Sequence, residues 1–244
     1  MDPRPRVLVL GIYMAGKVHL AEDEAAILAA SEECDVDQRW VALGGGPVPA
    51  LERLTVRTIR EQIPKFAILN DLLAGTDLQH YEYVVVVDDD VSLPHRFLDA
   101  LIGVQRDLGF ALAQPSRTSD SYYDHPIVEQ QRGVLARETM FVEIGPVFSV
   151  HRSIYDVMFP FDLTSSMGWG YENVWAYRLR ARGARMGIID AVPLAHSLRK
   201  SVVHYQWHVA DAERTALLAR TPHLDLDECF RVVNVIEFDE AAYV

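Results

Sequence analysis

The sequence predicts a single α/β domain in which helices flank a mostly parallel central sheet. Short, continuously apolar runs bounded by turn residues recur along the chain, and most are followed by stretches of helical period. One run holds four consecutive valines, 84–87, whose branched side chains stiffen the backbone into a strand needing no water on either face. Half of the 244 residues are hydrophobic and about a quarter charged, a length and composition suited to one sizeable core.

Element by element, Arg6–Met14 (RVLVLGIYM) is an apolar first strand that stops at Ala15-Gly16, and the Ala- and Glu-rich stretch 20–33 reads as a helix. Residues 39–43 form a second strand, closed by Gly44-Gly45-Gly46-Pro47. That glycine spacing matches neither a P-loop nor a dinucleotide fingerprint, so it reads as a plain loop. Residues 59–73 carry Ile59, Ile63, Phe66, Ile68, Leu69, Leu72 and Leu73 at helical spacing, with Pro64 kinking the helix or starting it. Residues 81–87 are the central strand. Pro94 opens a helix to about Leu108 with Phe97, Leu98, Leu101, Ile102 and Val104 inward, and 110–114 is the next strand. Residues 116–138 lack sustained period and read as a long loop. Strands are expected at 140–144 and 147–150, split by Gly145-Pro146, and at 186–190. Helices are expected at 153–158, 172–182 and 210–219, with an extended segment over 231–238. No repeat or linker divides residues 1–244.

The formal net charge of -12 argues against nucleic acid or anionic lipid as partners, since both demand excess Lys and Arg. It leaves room for a nucleotide held through a metal. No apolar run reaches transmembrane length, and Cys34 and Cys229 show no metal-ligand spacing, so a cytoplasmic protein with two reduced thiols and no membrane span is expected.

The strongest chemical signal is VVVVDDDV, residues 84–91. Adjacent carboxylates repel one another, and a divalent cation relieves that repulsion because Mg²⁺ and Mn²⁺ prefer hard oxygen ligands. On an extended chain Asp88 and Asp90 project to one side and Asp89 to the other. The alternative is an acidic turn capping the helix that starts at Pro94. His204 and His208, spaced i, i+4, are read as surface residues.

In context, Asp88-Asp89-Asp90 resembles the Asp-x-Asp motif of GT-A (Rossmann-like) glycosyltransferases. Lys65-Phe66-Ala67-Ile68-Leu69-Asn70 upstream looks like the helix that precedes that motif's strand in such proteins. Gly168-Trp169-Gly170-Tyr171-Glu172-Asn173 resembles their Trp-Gly-x-Glu/Asp segment, with Ile188-Ile189-Asp190 and His196 following in order. The stretch from FVEIGPVFS (141–149) to His196 is also similar to a largely uncharacterised GT-A-like family of plants and bacteria. The resemblance covers about residues 81–196 well and the first strands loosely.

It implies a donor half over about 1–115, an acceptor half over about 139–200 and a tail over 203–244. It further implies Mn²⁺ or Mg²⁺ as cofactor, a nucleoside-diphosphate sugar as donor and a small-molecule or glycan hydroxyl as acceptor. By the same resemblance Asp90 and His196 would hold the metal, and Asp88 the metal or the ribose. Asp89, Lys65, Asn70, Trp169 and Asn173 would bind donor, and Glu172 would take the acceptor proton as base. Glu172 has two other readings: a helix-start carboxylate, or with Asn173 a clamp on donor-sugar hydroxyls, as in some retaining families. Trp169 and Tyr171 either stack on a sugar or pack beneath the loop. Glu143 lines the acceptor pocket or ends a strand, and Arg132 and Arg137 meet the diphosphate or stay solvated, the latter being favoured. Two rivals stand beside the transferase: a haloacid-dehalogenase-type phosphatase, on the Asp88-x-Asp90 pair, and a non-catalytic nucleotide-sugar-binding domain.

Overall fold

A computed structural model of the chain describes residues 3–200 and 207–238. Its elements are β1 (Arg6–Met14), α1 (Ala21–Ala29), β2 (Asp35–Leu43), β3 (Thr55–Ile59), α2 (Lys65–Leu73), β4 (Tyr83–Asp88), α3 (Phe97–Leu108) and β5 (Phe110–Arg117). They continue with β6 (Val134–Thr139), β7 (Val147–His151), α4 (Tyr155–Met158), α5 (Tyr171–Ala181), β8 (Arg185–Leu194), α6 (Trp207–Arg220), α7 (Leu226–Cys229) and β9 (Val232–Glu237).

The nine strands form one sheet in the order β3-β2-β1-β4-β7-β5-β8-β6-β9. β3, β2, β1 and β4 run parallel, β7 lies antiparallel between β4 and β5, and β6 is antiparallel to both β8 and β9. Seven strands therefore point one way and two oppose them, the mostly parallel α/β sheet that the sequence predicts.

Strand alternation sorts the core into two layers. Leu8 and Leu10 of β1 and Val84 and Val86 of β4 pack with Phe66, Leu69, Trp175 and Leu179 on the α2/α5 face. Val7, Val9, Tyr83, Val85 and Val87 pack with Leu28, Phe97, Leu101 and Ile102 on the α1/α3 face. Every one of the four valines is 0–1% exposed, and each such burial stabilises the fold by roughly 2 kcal/mol.

Three expectations need correction. Residues 140–144 are not a strand; the strand is Val134–Thr139, inside the predicted loop. Its mid-strand Arg137 disguised it, because that charge is neutralised by a residue far along the chain. Arg137 is not solvated either: it is 1% exposed and paired with Asp190. Residues 59–64 are not helical. β3 ends at Ile59 and Pro64 immediately precedes α2, so the proline starts the helix rather than kinking it.

Candidate active site

The three aspartates sit where parallel β1 and β4 end, the edge of an α/β sheet at which ligands gather. β4 ends at Asp88 and residues 89 and 90 form a turn, so the alternation expected of an extended chain does not carry through, and the three carboxylates take different partners. Asp88 lies on the α2 side, where Lys65 Nζ reaches its two oxygens at 2.6 and 2.8 Å and donates to the Ile144 carbonyl at 3.3 Å. The main chain crowds this pair: a Cβ on Gly145 would stand 2.8 Å from Lys65 Nζ and 2.9 Å from Asp88 Oδ2. A side chain at 145 would have to displace the Lys65 ammonium or the Asp88 carboxylate.

Asp89 turns to the other face and is buried. Its Oδ2 accepts the Met14 N–H at 2.7 Å, its carbonyl accepts the Leu20 N–H at 2.7 Å, and Arg199 pairs with Oδ1. Burial raises its carboxyl above the ordinary range, more than the Met14 and Arg199 bonds lower it. Behind it, Glu24 of α1 accepts the Val91 N–H at 3.1 Å and leaves its second, buried oxygen without a hydrogen bond. Burial pushes the Glu24 carboxyl up to about 9, with the nearby Asp89, Asp90 and Asp88 charges adding to it. Glu24 is thus a neutral acid at pH 7.

Asp90 meets the late histidine. A two-residue antiparallel bridge, Ser92 to Ala195, carries the chain back, so His196 Nε2 lies 3.3 Å from Asp90 Oδ1 and Arg199 Nε lies 3.2 Å from Oδ2. Burial works to raise the Asp90 carboxyl, but the bonds and charges of His196 and Arg199 outweigh it and hold it below its usual range.

A second cluster adjoins the first. Arg117, at the end of β5 and 2% exposed, donates to Glu143 Oε2 at 2.7 Å and to the Gly145 carbonyl at 2.8 Å, while Nη1 stands 3.5 Å from His196 Nδ1. Glu143 Oε1 is 3.1 Å from His125 Nδ1. Burial works against protonation of His125, yet its bond to Glu143 and the charges of Glu143, Glu172 and Asp124 raise its pKa. Glu172 stands in the first turn of α5, buried, with Oε2 lacking a hydrogen bond. Burial raises its carboxyl above the ordinary range, opposed by His125 and assisted by Glu143.

Not every expected residue joins this group. Asn70 spends both halves of its amide on the Phe161 main chain, at 2.9 and 2.8 Å. Asn173 donates to the Leu224 carbonyl at 2.8 Å and pins the segment ahead of α7. Trp169 meets Trp207 edge-on with centroids 4.9 Å apart, so its ring packs under α6. Tyr171 is buried against Phe66. His208 is exposed, as expected, and His204 lies outside the described residues. Sequence reasoning missed Arg199, Arg117, His125 and Glu24. Arg117 had a signal, a charge directly ending an apolar strand; the others had none.

Among the described residues, no three His, Cys, Asp or Glu side chains converge as a metal-binding group. Of the expected trio, Asp90 and His196 adjoin while Asp88 is turned to Lys65. Their 3.3 Å separation is near the roughly 3 Å between neighbouring ligands of an octahedral ion with ~2.1 Å bonds, so this pair fits a divalent cation as part of its shell. Two surface hollows of about 380 and 490 Å³ open elsewhere, beside Arg178 and beside Cys34, away from the strand-end cluster.

No protein-family model matches the chain, and no curated protein does either. Solved structures do. A mannosyltransferase from Pyrobaculum calidifontis, in complex with GDP-Man and Mn²⁺, is 18% identical with a TM-score of 0.58, over 92% of this chain and 67% of that one. Glucosyl-3-phosphoglycerate synthase from Mycobacterium tuberculosis, with Mn²⁺, UDP and phosphoglyceric acid, is 15% identical with a TM-score of 0.55, over 91% and 80%. GalNAc-T7, with UDP, GalNAc and Mn²⁺, is 10% identical with a TM-score of 0.55, over 79% of this chain but 43% of its own. The sheet and the helices on it are therefore those of the GT-A glycosyltransferase fold.

Proposed function

We propose that this chain is a metal-dependent glycosyltransferase that moves a sugar from a nucleoside-diphosphate donor to a hydroxyl of an acceptor. The observation that carries the reading is the strand-end cluster of Asp88, Asp89 and Asp90 with His196, Lys65 and Arg199 on this fold. Asp90 and His196 would hold Mn²⁺ or Mg²⁺. When bound, the ion supplies positive charge against the departing diphosphate.

The chain's own residues do the rest. Lys65 and Arg199 place two cations beside the carboxylates, where donor phosphates would lie; Arg199 is the counter-ion that gives up Asp89 and Asp90 when the site loads. Asp89, fixed by the Met14 N–H, holds the β1–α1 loop against the donor. Glu172 accepts the acceptor's proton: its Oε2 is free of hydrogen bonds, and burial strengthens its hold on a proton. Glu143 is locked between Arg117 and His125, which leaves it a structural carboxylate rather than a competing base. Asn70, Asn173 and Trp169 are assigned to scaffolding. The donor half keeps its assignment to about 1–115 and the acceptor half to about 139–200. The phosphatase alternative is set aside, because its carboxylate pair belongs on a first strand and here ends β4.

Thermal shift with Mn²⁺ and a panel of nucleoside diphosphates tests the reading, since a ligand bound only by the folded state raises its stability. At a hundredfold excess over Kd the gain is about 2.7 kcal/mol. Asp90→Asn should lose the metal-dependent part of the shift while melting like wild type without ligand. Equal shifts in the two proteins would refute the assignment.

A further inference from the structure

We propose that β9 is a self-complementary edge through which two copies of this chain join their sheets about a two-fold axis. β9 is the last strand of the sheet and only its β6 side is paired among the described residues, so alternate main-chain groups face outward. Its side chains are open on both faces: Val232 is 39%, Val233 52% and Val235 47% exposed. Proteins usually guard such an edge with lysine, proline or a mid-strand charge. β3, the opposite edge, carries Arg57 at its centre, paired with Asp71. β9 (VVNVIE) has no proline or lysine, and its one charge, Glu237, stands at the very end.

The sequence of this edge says what would cover it. Residues 231–237 read Arg-Val-Val-Asn-Val-Ile-Glu, which has the same pattern from either end apart from the sign of the terminal charge. An antiparallel pairing centred on Asn234 sets Arg231 opposite the partner's Glu237 at both ends, where an opposite-charge cross-strand pair stabilises a ladder. It also sets Val233 opposite the partner's Val235, Val232 opposite the partner's Ile236, and the two Asn234 amides together on the axis. The Phe238 N–H turns inward to the Gly133 carbonyl, so the groups of Glu237 and Val235 face out. The Arg231 N–H is held by the Glu228 carbonyl at 3.3 Å, so at the two ends the join rests on side-chain charge. A shift in the β6 register leaves Val233 with no opposite residue on β6, so the local twist of the strand is increased there. A two-fold pairing of this kind is closed: it consumes both β9 edges and leaves the guarded β3 edges outside. A parallel in-register pairing of two copies would instead set like charges opposite each other at both ends.

Sedimentation of the full chain over roughly 1–100 µM, the range that reports micromolar Kd, tests this. At about 0.15 M salt, repulsion between two acidic chains is screened beyond roughly 8 Å. A monomer–dimer equilibrium is expected. Arg231→Glu and Glu237→Arg should each weaken the dimer at least tenfold, and an equimolar mixture of the two should restore it, because the mixed pair has opposite charges at both ends. That recovery also shows that both variants are folded. Val235→Pro, which removes an outward N–H, should weaken the dimer without rescue by either. A monomer across the whole range would overturn the proposal. So would a dimer whose Kd is the same in all three variants, or a mixture no tighter than its components.

Discussion

Arg137 and Asp190 give the sharpest test of how this site is supported. The guanidinium is bidentate on the carboxylate at 2.8 and 2.9 Å, and donates to the Ile127 and Glu129 carbonyls at 2.7 and 2.9 Å. The side chains are 2% and 0% exposed. Those bonds tie residues 127–129 to the sheet and, with the Gln131 N–H on Asp190, hold the segment that carries Ser121 and His125 to the candidate site. In Arg137→Met the Asp190 carboxylate stays buried with one main-chain donor. Breaking a buried pair from one side costs about 3–5 kcal/mol. For a domain of this size each kcal/mol moves Tm by about 2–4 °C, so the variant should melt roughly 6–20 °C lower. The loss should shrink on acidification. Without Arg137 the native carboxyl is pushed further above its unfolded value, so the native state takes up the proton first and stability falls as pH rises. Replacing both residues, Arg137→Met with Asp190→Leu, removes the stranded charge and should recover much of the loss. Calorimetry on the four proteins of the cycle decides. A single variant melting within about 2 °C of wild type, or a double variant as unstable as the sum of the singles, would mean that the pair does not hold this segment in place.

Glu172→Gln should lower kcat by about 10²–10⁴ with donor affinity unchanged, the range for losing a general base; near wild-type turnover would remove Glu172 from the chemistry. Glu24→Gln should match wild type at a pH near the ordinary carboxylate range, where the group is protonated folded and unfolded alike, and should be the more stable protein at pH 7. Between its ordinary value and about 9 the native state holds a proton that the unfolded chain has lost, so wild-type stability should decline across that window relative to the Gln variant. Parallel melting profiles from pH 5 to pH 9 would contradict this. Arg199→Gln should bind Mn²⁺ severalfold more tightly, read from free-ion paramagnetic resonance, because a competing cation leaves Asp89 and Asp90, and should bind nucleoside diphosphate less tightly. If both affinities are unchanged, Arg199 is no counter-ion of the site.

Local pattern was enough wherever an element's own residues determine its burial. The apolar run of β1, the valines of β4 and the amphipathic α3 announce themselves, since each buries what it carries. The aspartates after β4 were equally legible, because three adjacent carboxylates ask for a cation whatever the fold. What the chain does not show locally is any charge satisfied at long range. β6 was hidden because Arg137 finds Asp190 53 residues on, and β3 because an exposed edge strand needs little apolar content. Lys65 and Asp88 are both legible in the sequence, but their direct pairing is not, and Arg199 reaches Asp90 across 109 residues. Asn70 and Asn173 erred the other way. A motif can name a polar residue, but only packing decides whether its amide faces a ligand or, as here, satisfies a buried main chain. Local residue pattern was sufficient for a mostly parallel sheet ending in a carboxylate cluster. Tertiary structure decided which cations neutralise each carboxylate, because those partners come from loops whose meeting point is set by the sheet order and by nothing in their own residues.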